Sequence, residues 1–208
     1  MTALTEFVGR ILPDVPGCPR TTIISAALDG AIELCKRAEV HKYEHAAIAT
    51  TASTASYAFV PPAGTVVAEV LRAWYDGNEI DPQDQDQLND LYVDWLNESG
   101  TPKYFTRLDK RNIRLVPTPD ATGSLTLLVS LKPAIDATTI DDTVYQEYRE
   151  LIESYAKAKL MAMSDKSWTN YQLAAALMGK FEDEIPGVQF KAGKGHVRAR
   201  RRTKAQFF

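Results

Sequence analysis

The sequence predicts an α+β protein: a helical bundle body with an inserted small antiparallel β region and an extended C-terminal tail. Three observations predict it. Apolar residues recur at helical spacing toward both ends of the chain. Thr- and Val-rich extended runs, broken by Pro and Gly, fill the middle, and all periodicity stops at Pro186. The expected segments are 1–45 for the N-terminal helices of the body, 46–135 for a β-rich insertion with one short amphipathic helix, 136–185 for the C-terminal helices, and 186–208 for the basic tail.

Each element has its own local cause. The apolar stretch 4–12 is stopped by Pro13, and Pro13-Asp14-Val15-Pro16-Gly17-Cys18-Pro19 reads as a rigid elbow. Thr21 or Thr22 then caps a helix whose Ile24, Leu28, Ala31, Leu34, Cys35 and Ala38 share a face, with Lys36 and Arg37 near its C-terminal end. From about 48 to 80 the composition turns to β: Pro61-Pro62-Ala63-Gly64 makes a turn, Val66, Val67, Val70 and Leu71 lead into Trp74-Tyr75, and Asp76-Gly77 signals a tight hairpin. Between 84 and 97, Leu88, Leu91, Tyr92, Trp95 and Leu96 line one face of a short amphipathic helix. Gly100-Thr101-Pro102 breaks it. Three extended runs follow, at 103–107, 112–116 and 124–132, with the spacing of an antiparallel meander. Asp141 or Asp142 caps a long helix striped by Val144, Tyr148, Leu151, Ile152, Tyr155, Ala158 and Ala162. A final helix, about 169–184, carries Leu173, Ala176, Leu177 and Phe181 and ends at Pro186-Gly187.

The 208 residues are 45% hydrophobic and 25% charged, which is globular rather than disordered. The longest apolar run, 125–131, falls far short of the roughly 20 residues of a bilayer helix, so no membrane partner is expected. The opening Met1-Thr2-Ala3-Leu4-Thr5-Glu6-Phe7 lacks the basic and apolar regions of a secretory signal, which predicts a cytosolic product. Cys18 and Cys35 are then expected to be packed thiols. The net charge of −3 conceals an asymmetry. From 191 to 208 there are seven basic residues (Lys191, Lys194, Arg198, Arg200, Arg201, Arg202, Lys204) and no acid, leaving the rest of the chain at −10. An acidic body repels nucleic acid, whereas such a tail binds phosphate or an acidic protein surface.

His41-Lys42-Tyr43-Glu44-His45 matches the H-x-x-E-H pattern of a zinc hydrolase, in which two imidazoles on one helix face hold Zn²⁺ and Glu44 serves as base. Against this, the motif stands where a helix gives way to Ala46-Ala47, and no third ligand is evident; a solvated helix end is preferred. Gly187 and Gly193-Lys194-Gly195 echo a phosphate-binding loop but have five residues between the glycines, and Gly195 stands where a hydroxyl is needed. There is no G-x-S-x-G, G-x-G-x-x-G or C-x-x-C. No enzyme and no cofactor are expected. Trp74, Trp95 and Trp168 are assigned to packing. Glu79, Asp81, Asp84, Asp86, Asp90, Asp94 and Glu98, uninterrupted by any base, form a solvated negative face rather than a cation site. His196, Phe207 and Phe208 complete the tail, whose guanidinium and aromatic groups suit a protein interface.

Leu12-Pro13-Asp14-Val15-Pro16-Gly17-Cys18-Pro19 and Ala27-Leu28-Asp29-Gly30-Ala31-Ile32-Glu33-Leu34-Cys35-Lys36-Arg37 resemble the opening of the tailed-bacteriophage head-to-tail adaptor (head completion, connector) proteins. The likeness continues through Val70-Leu71-Arg72-Ala73-Trp74-Tyr75-Asp76-Gly77, Gly100-Thr101-Pro102-Lys103-Tyr104-Phe105, Ile113-Arg114-Leu115-Val116-Pro117-Thr118-Pro119-Asp120, Ser124-Leu125-Thr126-Leu127 and the Arg-rich Phe-Phe terminus. The resemblance implies a non-enzymatic virion protein at the head-to-tail interface. It also implies a homo-oligomeric ring, expected to hold twelve copies, through which double-stranded DNA passes without sequence specificity. The portal protein would be one partner and the next tail component (nozzle, tail terminator or tube) another. On this pattern Lys191, Lys194, His196, Arg198, Arg200, Arg201, Arg202, Lys204, Phe207 and Phe208 dock the portal, and the acidic region from Glu79 to Glu98 faces the tail or the lumen. The alternative is a nucleic-acid-binding protein acting through its Arg-rich tail, with a zinc enzyme at His41 and His45 as a third possibility.

Overall fold

A computed structural model describes residues 1–92 and 94–195, and within it the chain divides into two compact units. One holds residues 1–40 and the chain from Asp141 onward; the other is 41–140.

The second unit overturns the expected fold class. Its strands of three residues or more are β1 (Lys42–Thr50), β2 (Ser56–Ala58), β3 (Thr65–Tyr75), β4 (Asn78–Pro82), β5 (Tyr104–Thr106), β6 (Asn112–Val116) and β7 (Gly123–Pro133). They form one seven-stranded sheet in the order β1-β7-β3-β4-β5-β6-β2. Among the described residues a mixed, nearly closed sheet dominates, accompanied by five helices, in place of a helical bundle with a small β region. Nor is the sheet a meander. β5 pairs with β6 antiparallel but with β4 in parallel, and β7 crosses to lie between β1 and β3. Of the segment read as a helix end at His41 to His45, residues 42–45 belong to β1.

The chemistry of the strands explains the curl. In β7, Leu125, Leu127, Val129 and Leu131 alternate inward and are essentially buried, so this strand serves as the sheet's spine. Opposite it, β3 skips one residue between Arg72 and Val70 and another between Glu69 and Val67. Each extra residue bends the strand and raises its twist. The two bulges also break the period-2 pattern of Val66, Val67, Val70 and Leu71. The β3–β4 hairpin turns at Asp76 and Gly77, with φ of 48° and 79°, a left-handed pair that Asp-Gly tolerates. Inside lie Tyr57, Phe59, Ile80, Phe105, Ile113 and Leu115 with the β7 side chains. A satellite cluster of Leu88, Trp95 and Val116 forms where the short helix over Gln85–Leu91 packs on the sheet unit's chain.

In the first unit, 3-10 turns flank a single α-turn, α1 (Val8–Ile11), whose chain then enters α2 (Arg20–Ala38). α2 starts one residue before the expected caps: Pro19 occupies the N-cap and no side chain caps it. α3 is Gln85–Leu91 and stops well short of residue 97, because Tyr92 is extended; Asp84 and Gln87 close its capping box. α4 (Asp142–Met161) is capped as expected by Asp141, which accepts from the Thr143 and Val144 amides. α5 (Tyr171–Lys194) is capped by Asn170 and runs straight past Pro186. Phe181, Ile185, Val188 and Ala192 continue its apolar stripe at 4-3-4 spacing and are buried, while Pro186 is exposed on the opposite side. That burial outweighs the hydrogen bond the proline removes. The packing is specific: Tyr155 of α4 meets Phe181 of α5 at 4.9 Å between ring centroids, and Arg37 of α2 pairs with both carboxylate oxygens of Glu182 at 2.7 and 2.5 Å. Arg10 donates to Glu153, whose carboxylate is otherwise buried. Among the described residues no helix is long and apolar enough to cross a membrane.

Candidate functional site

The tail assigned to docking begins later than its composition suggests. Lys191 and Lys194 occupy the last turn of α5, where cations favour the helix dipole, and Lys194 Nζ lies 4.3 Å from the centroid of the Phe190 ring. Gly195 closes the helix at φ 64°, its amide donating to the Ala192 carbonyl. His196, Arg198, Arg200, Arg201, Arg202, Lys204, Phe207 and Phe208 lie outside the described residues.

All seven acids of the acidic region are exposed. Glu79 and Asp81 stand on β4, Asp84 caps α3, Asp86 and Asp90 ride on α3, and Asp94 and Glu98 follow it. Three of them are engaged locally: Asp84 accepts from the Gln87 amide at 2.8 Å, Asp94 accepts from the Asn97 side chain at 2.8 Å, and Glu79 lies 3.4 Å from Arg72 Nε. Among the described residues no group of three or more His, Cys, Asp or Glu could hold a metal ion.

The H-x-x-E-H pattern dissolves on the strand. Four residues of β structure separate two positions by about 13 Å, far beyond the reach of one ion. His45 is also engaged elsewhere: Nδ1 lies 2.7 Å from the Ala46 carbonyl, and Nε2 accepts from the Val60 amide at 3.3 Å. Of the glycines of the phosphate-loop echo, Gly187 and Gly193 lie within α5 and Gly195 is its left-handed C-cap.

Two arginines that composition did not single out anchor the sheet unit. Arg107 stacks on Phe59 with its guanidinium carbon 5.3 Å from the ring centroid and donates to the Lys110 carbonyl. Burial draws its guanidinium below the ordinary value. Arg114 stacks on Trp95 at 5.4 Å and donates to the Leu96 carbonyl. Glu69, Gln83, Thr106 and Arg107 are among the residues lining an open cleft of about 460 Å³. Phe59 and Arg107 lie 48 positions apart, so no local pattern signals the pair.

Both cysteines are free and buried, and burial pushes the Cys35 thiol up to about 12, assisted by the charge of Asp141. A thiol reagent at about pH 8 therefore meets almost no thiolate at Cys35. Mass-spectrometric labelling of the native protein is expected to leave Cys35 unmodified and to modify it fully in denaturant; rapid native labelling would contradict this placement.

No curated protein matches the chain. A family model described as the SU10 adaptor protein matches residues 2–205, nearly the whole length and both units. The chain belongs to this family of phage adaptor proteins, structural components of the virion's head-to-tail interface.

Proposed function

We propose that the protein assembles as a ring, of twelve copies, between the portal and the tail of the virion, and that the genome passes through it. Family membership supports the adaptor role, and the observation that carries the docking assignment is the division of charge. Beyond Gly195 the chain holds five Arg or Lys and no acid, whereas the folded units are acidic. An acidic wall gives DNA little purchase and lets it slide. A ring of identical basic tails meeting a ring of identical grooves gains avidity from effective concentration, so each contact can be weak. The exposed acids from Glu79 to Glu98 are assigned to the lumen or to the surface facing the next tail component.

The cut that tests this belongs after Gly195, because residues 186–194 are part of α5. Truncation there is expected to leave a folded protein that no longer co-sediments with its portal, while the full chain binds and forms a twelve-fold ring by negative stain. Portal binding by the truncated chain would refute the docking role. Strong duplex binding by the free full-length protein in a gel shift at moderate salt, without portal affinity, would favour the nucleic-acid-binding alternative.

A further inference from the structure

β1 and β2 are consecutive in the chain and are the two edges of the same sheet, yet no backbone ladder joins them. What spans the gap is side chains. The turn between them keeps hairpin register, since the Thr54 amide donates to the Thr51 carbonyl and Thr51 Oγ1 to Thr54 Oγ1. Beside it, Tyr57 Oη accepts from the Thr51 amide at 3.1 Å and donates to the Thr54 carbonyl at 2.6 Å. Farther along, at the positions a continued hairpin would pair, stand His45 and Val60. The register of β1 against β7 slips between Leu125 and Leu127, where three steps of β1 from His45 to Ile48 oppose two. That bulge splays β1 from β2, and the imidazole fills the opening.

A carbonyl only accepts, so His45 Nδ1 carries the proton shared with the Ala46 oxygen, and Nε2 is left as the acceptor for the Val60 amide. The ring packs edge to face on Tyr43 of its own strand and on Phe59, just past the end of β2, at 6.3 and 6.4 Å. Leu127 is its neighbour across the ladder on β7. The titratable and charged groups of this cluster are Tyr43 and, stacked on Phe59, the guanidinium of Arg107.

We propose that His45 is a proton-operated latch on the seam of the sheet. The neutral, Nδ1-protonated ring holds β1 to the segment after β2; the imidazolium, a donor at both nitrogens, cannot accept from Val60, and the two edges part. Opening the seam uncovers two strand edges that already lack a ladder partner, and such edges are templates for pairing with another chain.

The test uses the full chain. Imidazole ¹⁵N correlation spectra at about pH 8 are expected to give His45 the Nδ1–H tautomer, assigned by its absence in His45→Gln. Hydrogen exchange, corrected for intrinsic rates, is expected to show protection at Val60 falling about fivefold or more when the sample is taken from about pH 8 to about pH 5. In His45→Gln, whose amide oxygen reaches the Nε2 position as an uncharged acceptor, protection should persist across that interval. An Nε2–H tautomer would overturn the proposal, as would a Val60 protection that follows the same course with pH in both proteins.

Discussion

Gly30→Val is expected to destabilise the helical unit by about 3 kcal/mol or more. Gly30 faces α4 from the middle of α2, and a Cβ placed there would lie 3.0 Å from the Ile152 carbonyl oxygen and 3.2 Å from the Tyr155 ring. The first of these neighbours is backbone and cannot step aside without moving α4. Two effects oppose each other in Gly30→Ala. Helix propensity favours the alanine by about 1 kcal/mol, while overpacking against a fixed neighbour costs about 1–3 kcal/mol. A net loss is expected, and the branched valine enlarges it. Gly179 on α5 provides the contrast, for a Cβ there meets nothing within 4 Å. Gly179→Ala should therefore gain about 0.5–1 kcal/mol from propensity alone. Urea unfolding of the full chain followed at 222 nm checks the pair. Equal signs for Gly30→Ala and Gly179→Ala would show that α2 and α4 are not in the contact described.

Leu127→Ala should cost about 2–5 kcal/mol, with Leu128→Ala below about 1 kcal/mol. The two residues have the same chemistry and are adjacent on β7, but Leu127 is fully buried among the side chains within the curled sheet, whereas Leu128 is only partly covered. The first truncation leaves a cavity enclosed on both sides, since β7 lies between β1 and β3. The second opens onto solvent beside Glu44 and Arg72, its ladder partners. Near-UV circular dichroism and denaturant midpoints read the difference. If both substitutions cost the same, the inward and outward faces of β7 have been assigned wrongly.

What was legible in the sequence is what is decided within a few residues. The Asp141 cap, the Asp76-Gly77 hairpin and the extended run at 124–132 depend on neighbours along the chain, and each appears where local chemistry puts it. The extent of the sheet was not legible. β1 carries His45-Ala46-Ala47, with a bulge just where alternation would have to show, and so resembles a fraying helix end. The bulges of β3 scramble its phase in the same way. The parallel pairing of β4 with β5 joins strands separated by α3 and has no local signature. Pro186 misled for another reason: a proline rule for isolated helices was outweighed by the burial of Ile185, Val188 and Ala192. Of the docking residues, Lys191 and Lys194 proved helical, and the acids near α3 proved partly committed to capping and turns.

The charge of Asp141, where the chain re-enters the helical unit, is felt by Cys35, one turn before the chain leaves it. Residues 41–140 leave the helical unit after Val40 and rejoin it at Asp141, and the chain entropy of closing such an excursion grows only logarithmically with its length. Such a framework tolerates an excursion of almost any size. By this arithmetic, chain entropy sets little limit on how large a sheet the helical framework can carry.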